Sequence, residues 1–171
     1  MAYGTTGAGT ITKEQTLLSI RRLPIAASTT ITKGEVVNPD TGGEIVTSTT
    51  GIVTEVPHYV ALETVDNSTG ADGDLFCPVA VPGHYVTVIA DDTISPGERV
   101  VSSGSTAGQV VAYVAATHSI DQVVGTYFGK ESGSIATGTS TPFLEVFTDT
   151  ADFSPADAAD GDVIEILLGA A

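Results

Sequence analysis

The stretch TITKGEVV at residues 30–37 and the stretch TISPGERVV at residues 93–101 are two versions of one phrase. Each runs Thr, Ile, a hydroxyl residue, a free position, Gly, Glu and then a pair of valines, and the second carries one extra residue, Arg99. The phrase describes a turn that feeds a strand. Gly34 and Gly97 supply the left-handed conformation of a tight turn, Pro96 fixes φ one residue earlier, and the valines enter a sheet. ADGDLF (71–76) returns as ADGDVI (159–164), where Gly73 and Gly161 make Asp–Gly turns and the second Asp leads into a strand. VPHYV (56–60) returns as VPGHYV (81–86). The three echoes are offset by 63, 88 and about 26 positions, so no constant period runs through them, which argues against a solenoid or a propeller. They read as turn grammar.

Outward from these turns the pattern is β. Alternating or apolar runs occur at 44–49, 51–56, 59–64, 75–81, 85–90, 109–116, 121–128, 143–148 and 163–168. Turn-rich segments such as NPDTGG, NSTGADGD and SSGSTAG separate them. Gly, Thr, Val and Ala dominate the 171 residues, and Trp is absent. The expectation is an all-β protein, a partly open β-barrel or sandwich of about nine to ten short strands. An N-terminal arm, residues 1–28, precedes a β domain over 29–171. Thr12 with Gln15 matches a capping box, and Leu17, Ile20 and Arg21 share a helical face before Pro24; an extended arm is the alternative.

Charge divides the chain at the same place. Residues 1–33 hold Lys13, Arg21, Arg22 and Lys33 against Glu14, a net of +3, whereas residues 34–171 carry a net of −18. A chain of net charge −15 lacks the basic stripe that nucleic acid requires, so no direct nucleic-acid partner is expected. No apolar run reaches the roughly 18 residues of a membrane span, and the N-terminus lacks the pattern of a secretory signal, so no membrane partner is expected either. The basic arm suits an acidic surface, its own or a neighbour's. So acidic a body resembles those of halophilic proteins, and screening of its self-repulsion should raise stability as salt rises.

Several phrases together resemble a known family. These are I-x-x-G-[DE]-x-V at 31–37 and again at 94–101, the strand GHYVTV, VVGTYF at 123–128 and the closing DGDVIEILL at 160–168. They look like the head decoration, or capsid-stabilising, proteins of tailed double-stranded DNA viruses, over roughly residues 25–171. The resemblance implies a small β-rich homotrimer on the outer capsid surface of the virion, bound to the major capsid protein through its arm. On this sequence the arm contacts would be Arg21 and Arg22 for charge, with Leu17, Leu18, Ile20 and Leu23 for apolar contact. It implies no cofactor and no catalytic residue. A cell-surface or secreted β-sandwich binding module, for example one that takes carbohydrate, is the alternative; aromatic residues at 6% argue against it.

Cys77, the lone cysteine, reads as a small buried hydrophobe. His58 and His84 become neighbours if their His–Tyr dipeptides lie on adjacent strands, yet with His118 they match no zinc spacing. GTTGAG at 4–9 lacks the lysine of a phosphate loop, and no G-x-S-x-G is present. A serine triad has no support in the spacing, so no enzyme is expected. Asp149, Asp152, Asp157, Asp160 and Asp162 supply oxygens for a cation but lack EF-hand spacing, and a solvated acidic loop over 149–162 is the plainer reading. Asn67-Ser68-Thr69 is a glycosylation sequon read as part of a surface loop.

Overall fold

β-branched residues between tight turns bury well on a pleated sheet and poorly on a helix, and the chain folds accordingly. The computed structural model describes residues 11–13, 20–49, 57–131, 153–154 and 156–169. Its strands in chain order are β1 (Ile11–Lys13), β2 (Ile20–Pro24), β3 (Thr29–Ile31), β4 (Val36–Pro39), β5 (Ile45–Thr47), β6 (Tyr59–Ala61) and β7 (Val65–Asn67). They continue as β8 (Phe76–Ala80), β9 (Tyr85–Ile89), β10 (Arg99–Ser102), β11 (Val110–Ala112), β12 (Val123–Glu131), β13 (Phe153–Ser154) and β14 (Val163–Leu168). The protein is all-β and sandwich-like. One sheet runs β1-β9-β14-β12-β10-β11 with β13 beside β12, a second runs β2-β8-β6-β4-β5, and β3 pairs with β7. The strands beyond the expected nine to ten include pieces of two or three residues, too short to show a period. Ile20–Pro24, which the sequence places in the arm, form β2 of the second sheet. The capping-box residue Gln15 and the strand runs at 51–56 and 143–148 lie outside the described residues.

The two large sheets have one topology. Taking β2, β4, β5, β6 and β8 as counterparts of β9, β10, β11, β12 and β14 turns the order of the second sheet into that of the first. In each unit the two ends of the sheet approach through one parallel bridge, Ile25 with Ile45 and Ala90 with Val110, and among the described residues no continuous ladder closes either into a barrel. The correspondence reaches single hydrogen bonds. Gly34 donates its N–H to Ala61 at 2.8 Å, as Gly97 does to Tyr127 at 2.9 Å. The Thr32 N–H reaches Glu35 Oε2 at 2.9 Å, and the Ser95 N–H reaches Glu98 Oε2 at 2.6 Å. The Ala71 N–H donates to Asp74 Oδ2 and the Ala159 N–H to Asp162 Oδ2, both at 2.8 Å. The glycines match too, φ being 89° and 88° at Gly34 and Gly97, and 74° and 83° at Gly73 and Gly161.

The echoes offset by 63 and 88 therefore mark equivalent positions in two copies of one unit. Reading them as turn grammar explains their chemistry but misses this relation, because unequal insertions between the turns destroy any constant period. The echo offset by about 26 is unrelated, since Tyr59 starts β6 and Tyr85 starts β9, which are not counterparts. Arg99 is no insertion either. It pairs with Thr126 where its counterpart Val36 pairs with Val60.

Each unit has its own core. Ile25, Ile31, Val37, Ile45, Ala61, Cys77 and Val79 fill the first. Their counterparts Ala90, Ile94, Val100, Val110, Tyr127, Ile164 and Ile166 lie in the second. Burying each valine or isoleucine contributes about 1.5–3 kcal/mol, so these clusters dominate the stability. The units are also fused. Val36, Val60 and Ala80, on the opposite face of the first unit's sheet, join the second core. Around them Ser48 and Ser102 share a buried hydroxyl–hydroxyl bond of 2.6 Å, and the Val36 N–H donates to Gly108 at 2.8 Å. On the second unit the corresponding face carries exposed Arg99 and half-buried Thr126 and Leu167. That is why an arginine stands where the first unit has a valine.

Candidate interaction surface

The basic and apolar residues expected to make contacts converge on β2 and its neighbour β8. Antiparallel pairing sets Ile20 opposite Ala80, Arg22 opposite Pro78 and Pro24 opposite Phe76, which puts Ile20, Arg22, Pro24 and Phe76 on one face. Ile20 is 41% exposed, Phe76 52% and Leu75 41%, three of the six large apolar side chains exposed among the described residues. Arg21 and Arg22 are both exposed, whereas Leu23 turns inward against the first core. Leu17 and Leu18 lie outside the described residues.

Neither arginine has an ion-pair partner among the described residues, where the ion pair present joins Lys130 to Asp162 at 3.1 Å. On a chain of net charge −15, two guanidiniums without ion partners among the described residues form a local positive field beside apolar surface. Along Ile20–Pro24, β2 is an edge strand among the described residues; only the following residue, Ile25, meets β5. Sequence reasoning picked out Ile20, Arg21 and Arg22 but missed Leu75 and Phe76. The run LFCPVAV looks uniformly apolar, and only the three-dimensional packing leaves its first two side chains in water.

The histidines, the cysteine and the acidic residues do not converge on one site among the described residues. His58 and His84 precede β6 and β9, strands of different sheets, so their His–Tyr dipeptides are not on adjacent strands. His84 Nδ1 bonds the Val81 carbonyl at 2.9 Å, and His118 Nδ1 accepts the Val114 N–H at 3.0 Å. Among the described residues no group of three or more His, Cys, Asp or Glu is placed to hold a metal ion. Asp162 closes its turn, and the Ala159 N–H, with Lys130 beyond it, holds its carboxyl below the usual range. Asp157 and Asp160 are exposed; Asp149 and Asp152 lie outside the described residues. Burial pushes the Cys77 thiol up to about 11, which keeps it protonated and unreactive at neutral pH. No described helix is long and apolar enough to cross a membrane.

Asn67 corrects the surface-loop reading of the sequon. It is 2% exposed, and its amide nitrogen donates to the carbonyls of Ala26 and Ala71, both at 3.0 Å. A glycan on that nitrogen would break these bonds and has no space. Asn67 instead ties the end of β7 to the residues that follow β2.

His58 gives the fold a pH dependence. Burial lowers its pKa from 6.5, and its buried Nδ1 has no hydrogen-bond partner among the described residues. A depressed folded pKa means that the contribution to stability is complete above 6.5 and is lost as pH falls through the folded value. Urea unfolding at pH 7.5 and 5.5 should show a loss at the lower pH that the His58→Gln variant lacks. Equal losses in both proteins would refute the assignment.

Compared with protein-family models, with characterised proteins and with solved structures, the chain finds no match.

Proposed function

We propose that the chain is a structural virion protein that decorates the outer surface of a capsid and reinforces it by binding the major capsid protein. The observation that carries this reading is the β2–β8 surface of a strongly acidic molecule, where exposed Ile20, Leu75 and Phe76 flank Arg21 and Arg22, which have no ion partner among the described residues. Such a surface suits attachment to an acidic protein face, with apolar contacts for affinity and arginines for orientation. The rest of the body, rich in carboxylates, suits a position facing solvent. A specific contact of the usual size, about 1,600 Å² in total, repeated over a shell would link neighbouring subunits against the pressure of the genome. The work is mechanical, and no bond is made or broken. A homotrimer is the assembly this reading favours, because closed rings cover open sheet edges.

Cosedimentation with expanded, DNA-filled capsids tests the reading. The native chain should pellet with them, and the double variant Arg21→Glu, Arg22→Glu should stay in the supernatant at concentrations at least tenfold higher. If the native chain never pellets with capsids, the reading falls; if both pellet alike, the surface has been misassigned.

A further inference from the structure

The two equivalent units differ at one edge. In the second, the edge of β9 takes an added antiparallel strand, β1, which pairs Ile11 with Val86 and Lys13 with Tyr85. The positions equivalent to Tyr85 and Val86 are Ile20 and Arg21 of β2, as their cross-strand partners show: Val86 faces Ile166 and Arg21 faces the counterpart residue Val79. In both units the sheet end diverges from its far strand after a single parallel bridge, so the same opening stands beside both strands. In the second unit it holds a strand. Among the described residues it holds none in the first, and the two arginines beside it have no ion partner there.

We propose that the β2 edge is a strand-docking site, and that its occupant is an extended segment of a partner protein in which carboxylates alternate with apolar side chains. The backbone of the segment pairs antiparallel with Ile20–Pro24, as β1 does with β9. Its carboxylates lie on the Arg21 face of the sheet, and its apolar side chains extend the surface of Ile20 and Phe76 on the other face, beside Arg22. Main-chain bonds of this kind give affinity, and the alternate side chains give specificity. A second copy pairing through its own β2 edge is a poorer occupant, because Arg21 and Arg22 would then meet like charge. The identity of the partner as a capsid protein rests on the proposed function; the chemistry of the edge does not.

The probes are eight-residue peptides in which valine alternates with glutamate or with lysine, added to the full-length protein and followed by amide NMR. The glutamate peptide should shift the resonances of residues 20–24 and bind at least tenfold more tightly than the lysine peptide. N-methylation of its backbone along one edge should abolish binding, which simple charge attraction would not predict. The variant Arg21→Glu, Arg22→Glu should reverse the preference between the peptides. Equal binding of both peptides, retained binding after N-methylation, shifts confined to other strands, or self-association that the same variant abolishes would each overturn the proposal. Because no capsid enters the experiment, its failure leaves the capsid reading standing, and a capsid failure leaves a peptide-binding edge standing.

Discussion

Replacing Tyr127 by alanine should cost about 3–5 kcal/mol of folding stability, the range for truncating a large buried aromatic side chain. Tyr127 is among the largest fully buried side chains, and it sits in the second core with Val100, Ile164 and Ile166. Its hydroxyl donates to the Ala156 carbonyl at 2.6 Å, which ties the segment before β14 to the sheet. Burial, with Asp162 and Asp157 nearby, pushes the phenol up to about 12, so the group remains a donor at any physiological pH. Tyr127→Phe removes that bond alone and should cost about 1 kcal/mol. The counterpart of Tyr127 in the first unit is Ala61, and the counterpart of Ala90 is Ile25, so the two cores trade volume between positions. Urea unfolding of both variants checks this. A loss under about 1.5 kcal/mol for the alanine variant would mean that Tyr127 does not organise the second core.

Gly108→Ala should cost about 2–4 kcal/mol, whereas the same change at its counterpart Gly43 should cost about 1. Both glycines have positive φ, 80° at Gly108 and 97° at Gly43, so the conformational penalty is shared. The surroundings differ. A Cβ at Gly108 would lie 2.6 Å from Glu35 Cγ, 2.8 Å from its Cβ and 3.0 Å from Thr47 Cγ2, whereas at Gly43 nothing lies within 4 Å. Gly108 is where the second unit receives the first, since its carbonyl takes the Val36 N–H and its own N–H reaches Ser48 at 2.9 Å. The difference between the two variants therefore reads the tightness of the join. Equal losses would show that the units meet loosely there.

Much of this fold was legible in the sequence, because its signals are local. Glycine in the turns, valine pairs after them and alternation along GHYVTV each act within a few residues, and the strands formed where those signals stand. The duplication was half visible. The phrases at 30–37 and 93–101 were read correctly as turns, but only the sheet order shows that Val36 and Arg99 are the same position in two contexts, one covered and one open to water. Asn67 was misread for a related reason. Asn-Ser-Thr looks like a loop from its composition, and the buried asparagine is held in part by the Ala26 carbonyl, 41 positions away in sequence. At the candidate surface, the basic pair was visible as a break in an acidic composition. The exposure of Phe76 was not, since it depends on which parts of that sheet face the rest of the fold leaves uncovered.

The central claim is that this molecule reinforces a capsid from outside, and the temperature at which particles release their DNA tests it most directly. Particles carrying the chain and particles stripped of it are heated side by side with a dye that reports free DNA. The account predicts release at a clearly lower temperature from the stripped particles, restored when the native chain is added back and not by the variant Arg21→Glu, Arg22→Glu. Release at the same temperature from both would contradict it.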